Sequence, residues 1–421
     1  MSIFAKRYAR AFGFGAAVVS TVVAGAGAAS AGGFAVREQS TVFLGSAFAG
    51  SAAGGSLGSM YWNSAATAQF PGLNSESSYT VILPDADVTV TRLGAPAPGP
   101  GLNIPAGTPG NNSGDIGIDA VAGASYGAYQ ISPDVWIGIA LNSPFGLGTK
   151  PENINYLGSF LGTTTKLLTV NANPTFAYRV APGVTVGAGV QIEWARAKLR
   201  FADGTPSGAQ YKGDDFAFGA TAGILLEPAV GTTIGLGWRS ALTHELDGNL
   251  SIPAFGINGV PTKAEINLPD IVTLSLRQVV APNMRLLGTV EWTNWSRFDK
   301  VTLSTIPFAL NANWNDGWFF SAGGEYDYSS ALTLRAGAAY EISPVDDPTK
   351  RLTTIPDNDR IWLNIGASYR YSDSTTLDFA YSHVFIEDGS FDRSNLSGTV
   401  REQGNVDASL DLISVGLRSR W

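Results

Sequence analysis

No cysteine occurs among the 421 residues, and only two histidines do, His244 and His383. Disulfide frameworks, thiolate metal sites and cysteine nucleophiles are therefore excluded, and little is left for metal binding or general-base chemistry. Charge is scarce as well. Charged residues make up 15% of the chain, where an ordinary soluble protein carries about 25%. Long apolar runs are missing too: beyond the first thirty residues none approaches the ~20 residues that a membrane-spanning helix needs. Mean hydropathy is only +0.08. The charge that remains is acidic, net −8, so there is no basic footprint for nucleic acid. A chain too poorly charged for water and too interrupted for helices points to a membrane β-barrel. In such a barrel lipid-facing and lumen-facing residues alternate, and their hydropathies cancel.

What is present supports that class. Lys6, Arg7 and Arg10 precede an apolar stretch from about Ala11 to Gly27, and Ala29, Ser30 and Ala31 supply the small residues of an export-signal cleavage site. Residues 1–31 are thus expected to be a signal peptide, with cleavage before Gly32. That removes three positive charges and leaves the mature chain at about −11. From residue 72 onward, two-residue alternation recurs between turn signals. In the run 360–370, Ile361, Leu363, Ile365, Ala367 and Tyr369 share one face. Arg360, Asn364, Gly366, Ser368 and Arg370 dominate the other. The runs 332–341 and 184–193 repeat the pattern.

The spacing predicts fourteen strands, at about 72–90, 116–130, 133–144, 163–180, 183–200, 213–228, 231–250, 263–281, 283–298, 315–329, 331–344, 359–372, 374–387 and 408–421. Short connections (181–183, 281–283 and 372–373, for example) alternate with longer ones. This is the arrangement of periplasmic turns and outer loops in an even, closed barrel; a soluble sandwich has no reason to alternate its loop lengths. The chain ends on Ile413, Val415, Leu417 and a final aromatic, Trp421, as a last outer-membrane strand does. Residues 32–71 fall outside the pattern, being small and alanine-, serine- and glycine-rich. They still carry Phe34, Phe43, Phe48, Tyr61, Trp62 and Phe70, which a solvated tail would not. A barrel of this width cannot be filled by its own side chains, so 32–71 reads as a hatch inside the lumen and 72–421 as the barrel.

Several blocks, in order along nearly the whole mature chain, resemble the FadL/TodX family of outer-membrane transporters for long-chain fatty acids and aromatic hydrocarbons. They include Gly32-Gly33-Phe34, Pro144-Phe145-Gly146, Gly213-Asp214-Asp215-Phe216 and Gly235 to Ser240. Glu291 to Ser296, Asn313 to Asp316 and Ile355 to Arg360 complete the set. Trp62-Asn63-Ser64-Ala65 stands where members usually carry Asn-Pro-Ala, with Ser64 in place of the proline. The resemblance implies an all-β membrane protein, a monomeric 14-stranded antiparallel transmembrane β-barrel with an N-terminal hatch. It also implies passive uptake of hydrophobic molecules, which meet a groove among the outer loops, pass a site near the N-terminus and leave through a gap beside a kinked strand. The expected function is transport of long-chain fatty acids across the outer membrane; an aromatic hydrocarbon channel and a general porin are the alternatives.

Site candidates follow from the chemistry of an apolar acid, which needs greasy surface for its tail and a cation for its carboxylate. The loop 150–163 is unusually apolar, with Ile154, Tyr156, Leu157, Phe160 and Leu161, and reads either as a capture surface or as a self-packed loop. Phe34 and Phe48 offer apolar surface from the hatch. Arg335 and Arg360 are candidate cations on predicted lumen faces, where pairing with acids such as Glu193, Glu291, Glu341 or Asp378 is the competing structural role. Expected partners are a long-chain fatty acid or other hydrophobic small molecule and the surrounding outer-membrane lipid, lipopolysaccharide included. No nucleic acid, metal or cofactor is expected. Asp357, Asn358 and Asp359 lack EF-hand spacing, and Asp214 and Asp215 read likewise as polar loop residues. A barrel hydrolase would have to use His244 or His383, for instance with Ser240 and Glu245 or Asp247. No catalytic role is assigned to that group.

Overall fold

A computed structural model describes residues 32–95, 101–205, 207–306, 309–395 and 398–421; the expected signal peptide, 1–31, lies outside them. Fourteen antiparallel strands form the wall. They are β1 (Leu73–Gly94), β2 (Ala120–Ser132), β3 (Val135–Asn142), β4 (Thr164–Ala181), β5 (Val184–Phe201), β6 (Ala209–Ala229) and β7 (Thr232–Arg239 continued by Leu242–Ile252). There follow β8 (Ile257–Leu268 continued by Ile271–Ala281), β9 (Met284–Thr293), β10 (Gly317–Asp327), β11 (Leu332–Ile342), β12 (Arg360–Arg370), β13 (Thr375–Ile386) and β14 (Arg401–Arg420). β1 pairs with β14 from Asn74↔Arg420 to Gly94↔Arg401, which closes the barrel.

The alternation read from 360–370 sorts as expected: Ile361, Leu363 and Ile365 are about half exposed to the outside, whereas Arg360, Trp362 and Asn364 are buried in the lumen. Outward-facing aromatics form two belts. Trp238, Trp318, Tyr340 and Phe385 ring the outer end, and Tyr129, Tyr178, Tyr326 and Tyr369 ring the end with short turns. Trp318 and Tyr326 are eight residues apart on one strand, ~26 Å of chain. A strand tilt of ~40° reduces this to ~20 Å of height, close to the apolar band of an outer-membrane barrel. Trp421 lies at the inner rim, where its Nε1 donates to Ser75 Oγ at 3.1 Å.

Two strands expected to run unbroken are interrupted. β7 breaks at 240–241, where Ala241 N–H turns to Asp270 Oδ1 at 3.0 Å and Ser240 Oγ accepts from Ala220 N–H at 2.9 Å. β8 breaks at 269–270, where Pro269 has no N–H to give to a ladder.

Residues 32–70 lie inside the lumen as a four-residue helix, α1 (Thr41–Leu44), and three 3-10 turns. The polar lumen face of the strands tethers this segment on nearly every side. Ser40 and Ser56 hydroxyls donate to the Glu76 carboxylate on β1. Thr41 meets Ser414 on β14 at 2.7 Å, and Asn364 on β12 donates to Leu44 O at 2.7 Å. Thr289 on β9 donates to Phe48 O at 3.0 Å, and Asn63 donates to Ile224 O on β6 at 3.0 Å. Wall glycines permit the close approach. A Cβ on Gly235 would stand 1.8 Å from Ala52 O, and one on Gly237 1.8 Å from Trp62 O. Ala47 and Phe48 adopt left-handed φ of 52° and 61°, an unfavourable backbone for a bulky residue. It is held by packing of Phe48 against Trp62, Phe319 and Trp362.

Candidate functional site

The site is assembled where the wall is incomplete. β3 ends at Asn142 because the next residues, Ser143 and Pro144, leave the ladder; the chain re-pairs with β4 only at Gly146–Thr149. β2 and β3 are last paired at Ser125↔Leu141, and the chains rejoin further out at the Ile118 N–H to Gly148 O bond, 3.2 Å. Between these points the wall has a window beside three small inward residues, Ala120, Ala122 and Ala124. The luminal segment closes it from inside. Ala35 forms a bridge with Phe145, Val36 N–H donates to Pro144 O at 2.8 Å and Gly146 N–H donates to Phe34 O at 3.0 Å. Gln39 Nε2 donates to Ser143 O at 2.9 Å, and Tyr126 OH holds Gln39 O at 2.8 Å.

The Phe34 ring points the other way, into an aromatic cage. Its centroid lies 4.8 Å from Trp295, 5.0 Å from Phe298, 5.9 Å from Trp314 and 6.1 Å from Phe145. Gly33 adopts φ +70° against this cage, where any Cβ would meet the Trp314 and Trp295 rings within 3 Å. Phe34 is also the floor of an apolar cavity at the outer end of the barrel. Its walls are Leu147, Leu161, Leu167, Ala197, Leu199, Phe201, Ile266, Phe298, Val301, Leu310, Leu352 and Ile355. An apolar lining with a few polar groups is that of a small-molecule site. Two cations line it, Lys166 and Arg393. Arg393 donates to Thr349 O and, at 2.6 Å, to Asn311 O, and burial lowers its pKa from the ordinary value. Neither cation has a carboxylate within ion-pair distance among the described residues.

Beneath the cage lies a buried ionic cluster. Gly32 N–H donates to Glu341 Oε1 at 2.8 Å and Gly33 N–H to Asp357 Oδ2 at 2.7 Å. Arg37 pairs with Glu291 at 2.6 Å and Glu341 at 3.2 Å, and Arg360 pairs with Asp357. Burial pushes the Glu38 carboxyl up to about 7, helped by Glu341 and opposed by Arg37 and Arg360. Burial raises Asp357 as well, against the pull of Arg360 and the Gly33 N–H.

Of the residues singled out in the sequence, Phe34 and Leu161 meet at the cavity. Tyr156 is buried in a separate cluster with Val88, Val90, Ile116, Phe391 and Val406, and Leu157 packs on it. Ile154 and Phe160 are partly exposed on the loop surface. Phe48 sits between the luminal segment and the wall, away from the cavity. Arg335 is committed to Glu325 at 2.8 Å and Ser368 at 2.5 Å, near the short-turn end, and Arg360 to Asp357. His244 faces Glu193 and Asp215 at 3.4 and 3.3 Å, and no hydrogen bond joins it to a serine among the described residues. The cavity cations were not singled out from sequence, nor were most of the cavity walls. One signal was present: Leu167, Leu199 and Ile266 are large apolar groups on inward positions of strand extensions, where a lumen is ordinarily polar.

A family model described as outer membrane protein transport protein (OMPP1/FadL/TodX) matches residues 22–421. The long-chain fatty acid transport protein of Escherichia coli O6:H1 is 26% identical over 84% of this chain and 86% of its own length. Among solved structures, a Pseudomonas aeruginosa FadL homologue superposes with a TM-score of 0.82 at 20% identity, covering 92% of this chain and 99% of the other. The P. putida toluene transporter TodX superposes at 0.62 with 16% identity, covering 86% and 94%. Barrel, window and outer cavity therefore belong to an outer-membrane transport protein, and the chain is a member of the OMPP1/FadL/TodX family.

Proposed function

We propose that this protein admits long-chain fatty acids passively through the outer membrane. The observation that carries the reading is the pairing of an apolar cavity with two cations, Arg393 and Lys166, that lack acidic partners among the described residues. An aromatic hydrocarbon needs the greasy walls but has no use for a guanidinium. A carboxylate needs both.

In this reading residues 1–31 are removed on export, residues 32–71 act as the hatch and residues 72–421 as the barrel. The protein works as a monomer in lipopolysaccharide-bearing membrane and catalyses no reaction. Cargo settles in the cavity against Phe34. Its tail competes with Trp295, Trp314 and Phe298 for that ring, and binding favours a state in which residues 34–36 release Pro144 and Gly146. The window beside β3 would then open toward the membrane. Movement follows the concentration gradient.

Competition binding on purified, inserted protein tests the substrate class. A long-chain fatty acid should displace a fluorescent fatty acid at far lower concentration than toluene does. Equal potency of the two, or displacement by toluene alone, moves the assignment to aromatic hydrocarbons. Large ohmic conductance steps in a bilayer would make it a porin.

A further inference from the structure

The ionic cluster beneath Phe34 is short of positive charge. Four carboxylates, Glu38, Glu291, Glu341 and Asp357, are each less than 5% exposed. The guanidinium groups near them are Arg37 and Arg360, which pair directly, and Arg351, which reaches the Asp357 carbonyl at 2.9 Å rather than a carboxylate. Four acids thus face three bases; a proton on Glu38, whose Oε2 has no hydrogen-bond partner among the described residues, offsets one acid below about pH 7, and above it the cluster is one cation short. Burying an uncompensated carboxylate is costly, and the usual remedies are a proton or a counter-charge.

The missing cation has a natural place. Gly32 N aims at Glu341 Oε1 at 2.8 Å, and that oxygen also accepts from Arg37. Gly32 is itself buried, and a Cβ there would stand 3.0 Å from Glu341 Oε1, so the chain passes close against this carboxylate. We propose that the α-ammonium created at Gly32 by removal of residues 1–31 is the fourth cation of this cluster, an ion-pair partner of Glu341 that latches the Gly32-Gly33-Phe34 end in its cage. The inference rests on cleavage before Gly32. An uncleaved amide supplies one neutral N–H at this position; a free ammonium supplies three donors and a full charge. Export processing would then do more than release the chain. It would complete the closed state of the transporter, because the latched glycines carry Phe34 between the cavity and the window.

The test uses the full chain expressed with its own leader and purified from outer membranes. Intact-mass analysis first reads the N-terminal residue. Competitive labelling of amines as a function of pH then gives the pKa of the α-amino group in the folded protein. A carboxylate partner at hydrogen-bond distance should raise it by at least about one unit above the ~7.7–8.0 of a free chain end, whereas burial without a partner would lower it. Glu341→Gln should bring the value back down while labelling of the exposed Lys212 and Lys263 stays unchanged. A chain beginning elsewhere than Gly32 would overturn the cleavage reading and this inference together. A chain beginning at Gly32 whose α-amine titrates at or below the free value overturns the inference alone. The wild-type measurement decides even where Glu341→Gln fails to insert.

Discussion

Replacing Arg393 by methionine keeps a long, flexible side chain beside the cavity and removes its charge. A guanidinium carries five N–H donors, and the carbonyls of Thr349 and Asn311 engage two of its nitrogens, which leaves donors for a ligand carboxylate. A charge-assisted hydrogen bond contributes about 1.5–3 kcal/mol net. Loss of this anchor should therefore weaken fatty acid binding by about 2–3 kcal/mol, or roughly 30- to 150-fold in Kd. The fatty alcohol of equal chain length fills the same apolar walls and has no charge to neutralise. Its affinity should change by less than about threefold, within the scatter of a remote substitution. Equilibrium dialysis of both ligands against protein in nanodiscs measures the two constants under one condition. The alcohol also controls for loop disturbance, because Arg393 holds two loop carbonyls as well as lining the cavity. Lys166→Met alone should have a smaller effect, since its ammonium is a single point charge without a bidentate fork. If R393M weakens acid and alcohol equally, the residue is a loop tie. If neither affinity moves, the carboxylate does not bind at this end of the cavity and the substrate assignment loses its main support.

Three further outcomes are expected. Gly237→Val puts a side chain where Trp62 O already stands, 1.8 Å from an added Cβ, so the barrel should still insert and shift on heating while the luminal segment fails to seat and conductance appears in a planar bilayer; a silent channel with unchanged ligand affinity would refute the close-approach argument. Deleting residues 34–60 should likewise give a leaky barrel without high-affinity ligand binding; an inserted deletion protein that stays silent and binds normally would place the barrier in the outer loops. Glu38 has its carboxyl raised from 4.5 to about 7, so the seated segment holds a proton that the released one gives up. Its contribution is complete below about pH 4.5 and is lost as pH rises through about 7, a change on the order of 3 kcal/mol. Hydrogen exchange of residues 32–71 should therefore speed up between pH 5 and pH 8, after correction for intrinsic rates, and Glu38→Gln should flatten the profile; a flat wild-type profile would contradict it.

Much of the wall was legible because a strand's alternation is local. Side chains flip every residue whatever the distant chain does, so Ile361, Leu363 and Ile365 declare one face without reference to their neighbours β11 and β13. Turn lengths are local too, and they ordered fourteen strands into hairpins. The breaks in β7 and β8 were invisible for the same reason. Leu242 and Leu246 continue the alternation past Ser240, and the interruption is made by partners, Ala220 and Asp270, that stand on β6 and in the break of β8, the two strands beside β7. Even Pro269, a local signal, was absorbed into an expected strand of nineteen residues.

The lumen was decided by closure. Joining β1 to β14 sets the stagger of every strand, and only that geometry brings Gly32 to Glu341, Phe34 to Trp295 and Trp314, and Arg393 to the cavity lined by Leu167 and Ile355. Residues hundreds apart share no periodicity that could announce such contacts. Arg335 and Arg360 show the converse. Their lumen-facing positions followed from alternation, but their roles depended on which acids stood within reach, Glu325 opposite on the neighbouring strand for one and Asp357, three residues back in the preceding loop, for the other. The sequence alone therefore determined a membrane barrel with a compact N-terminal segment, because strand pleat and side-chain size are properties of short stretches. The cavity, the window beside β3 and the buried charge cluster were decided only by tertiary structure, because each is a meeting of side chains from separate loops and strands that a closed wall holds in place.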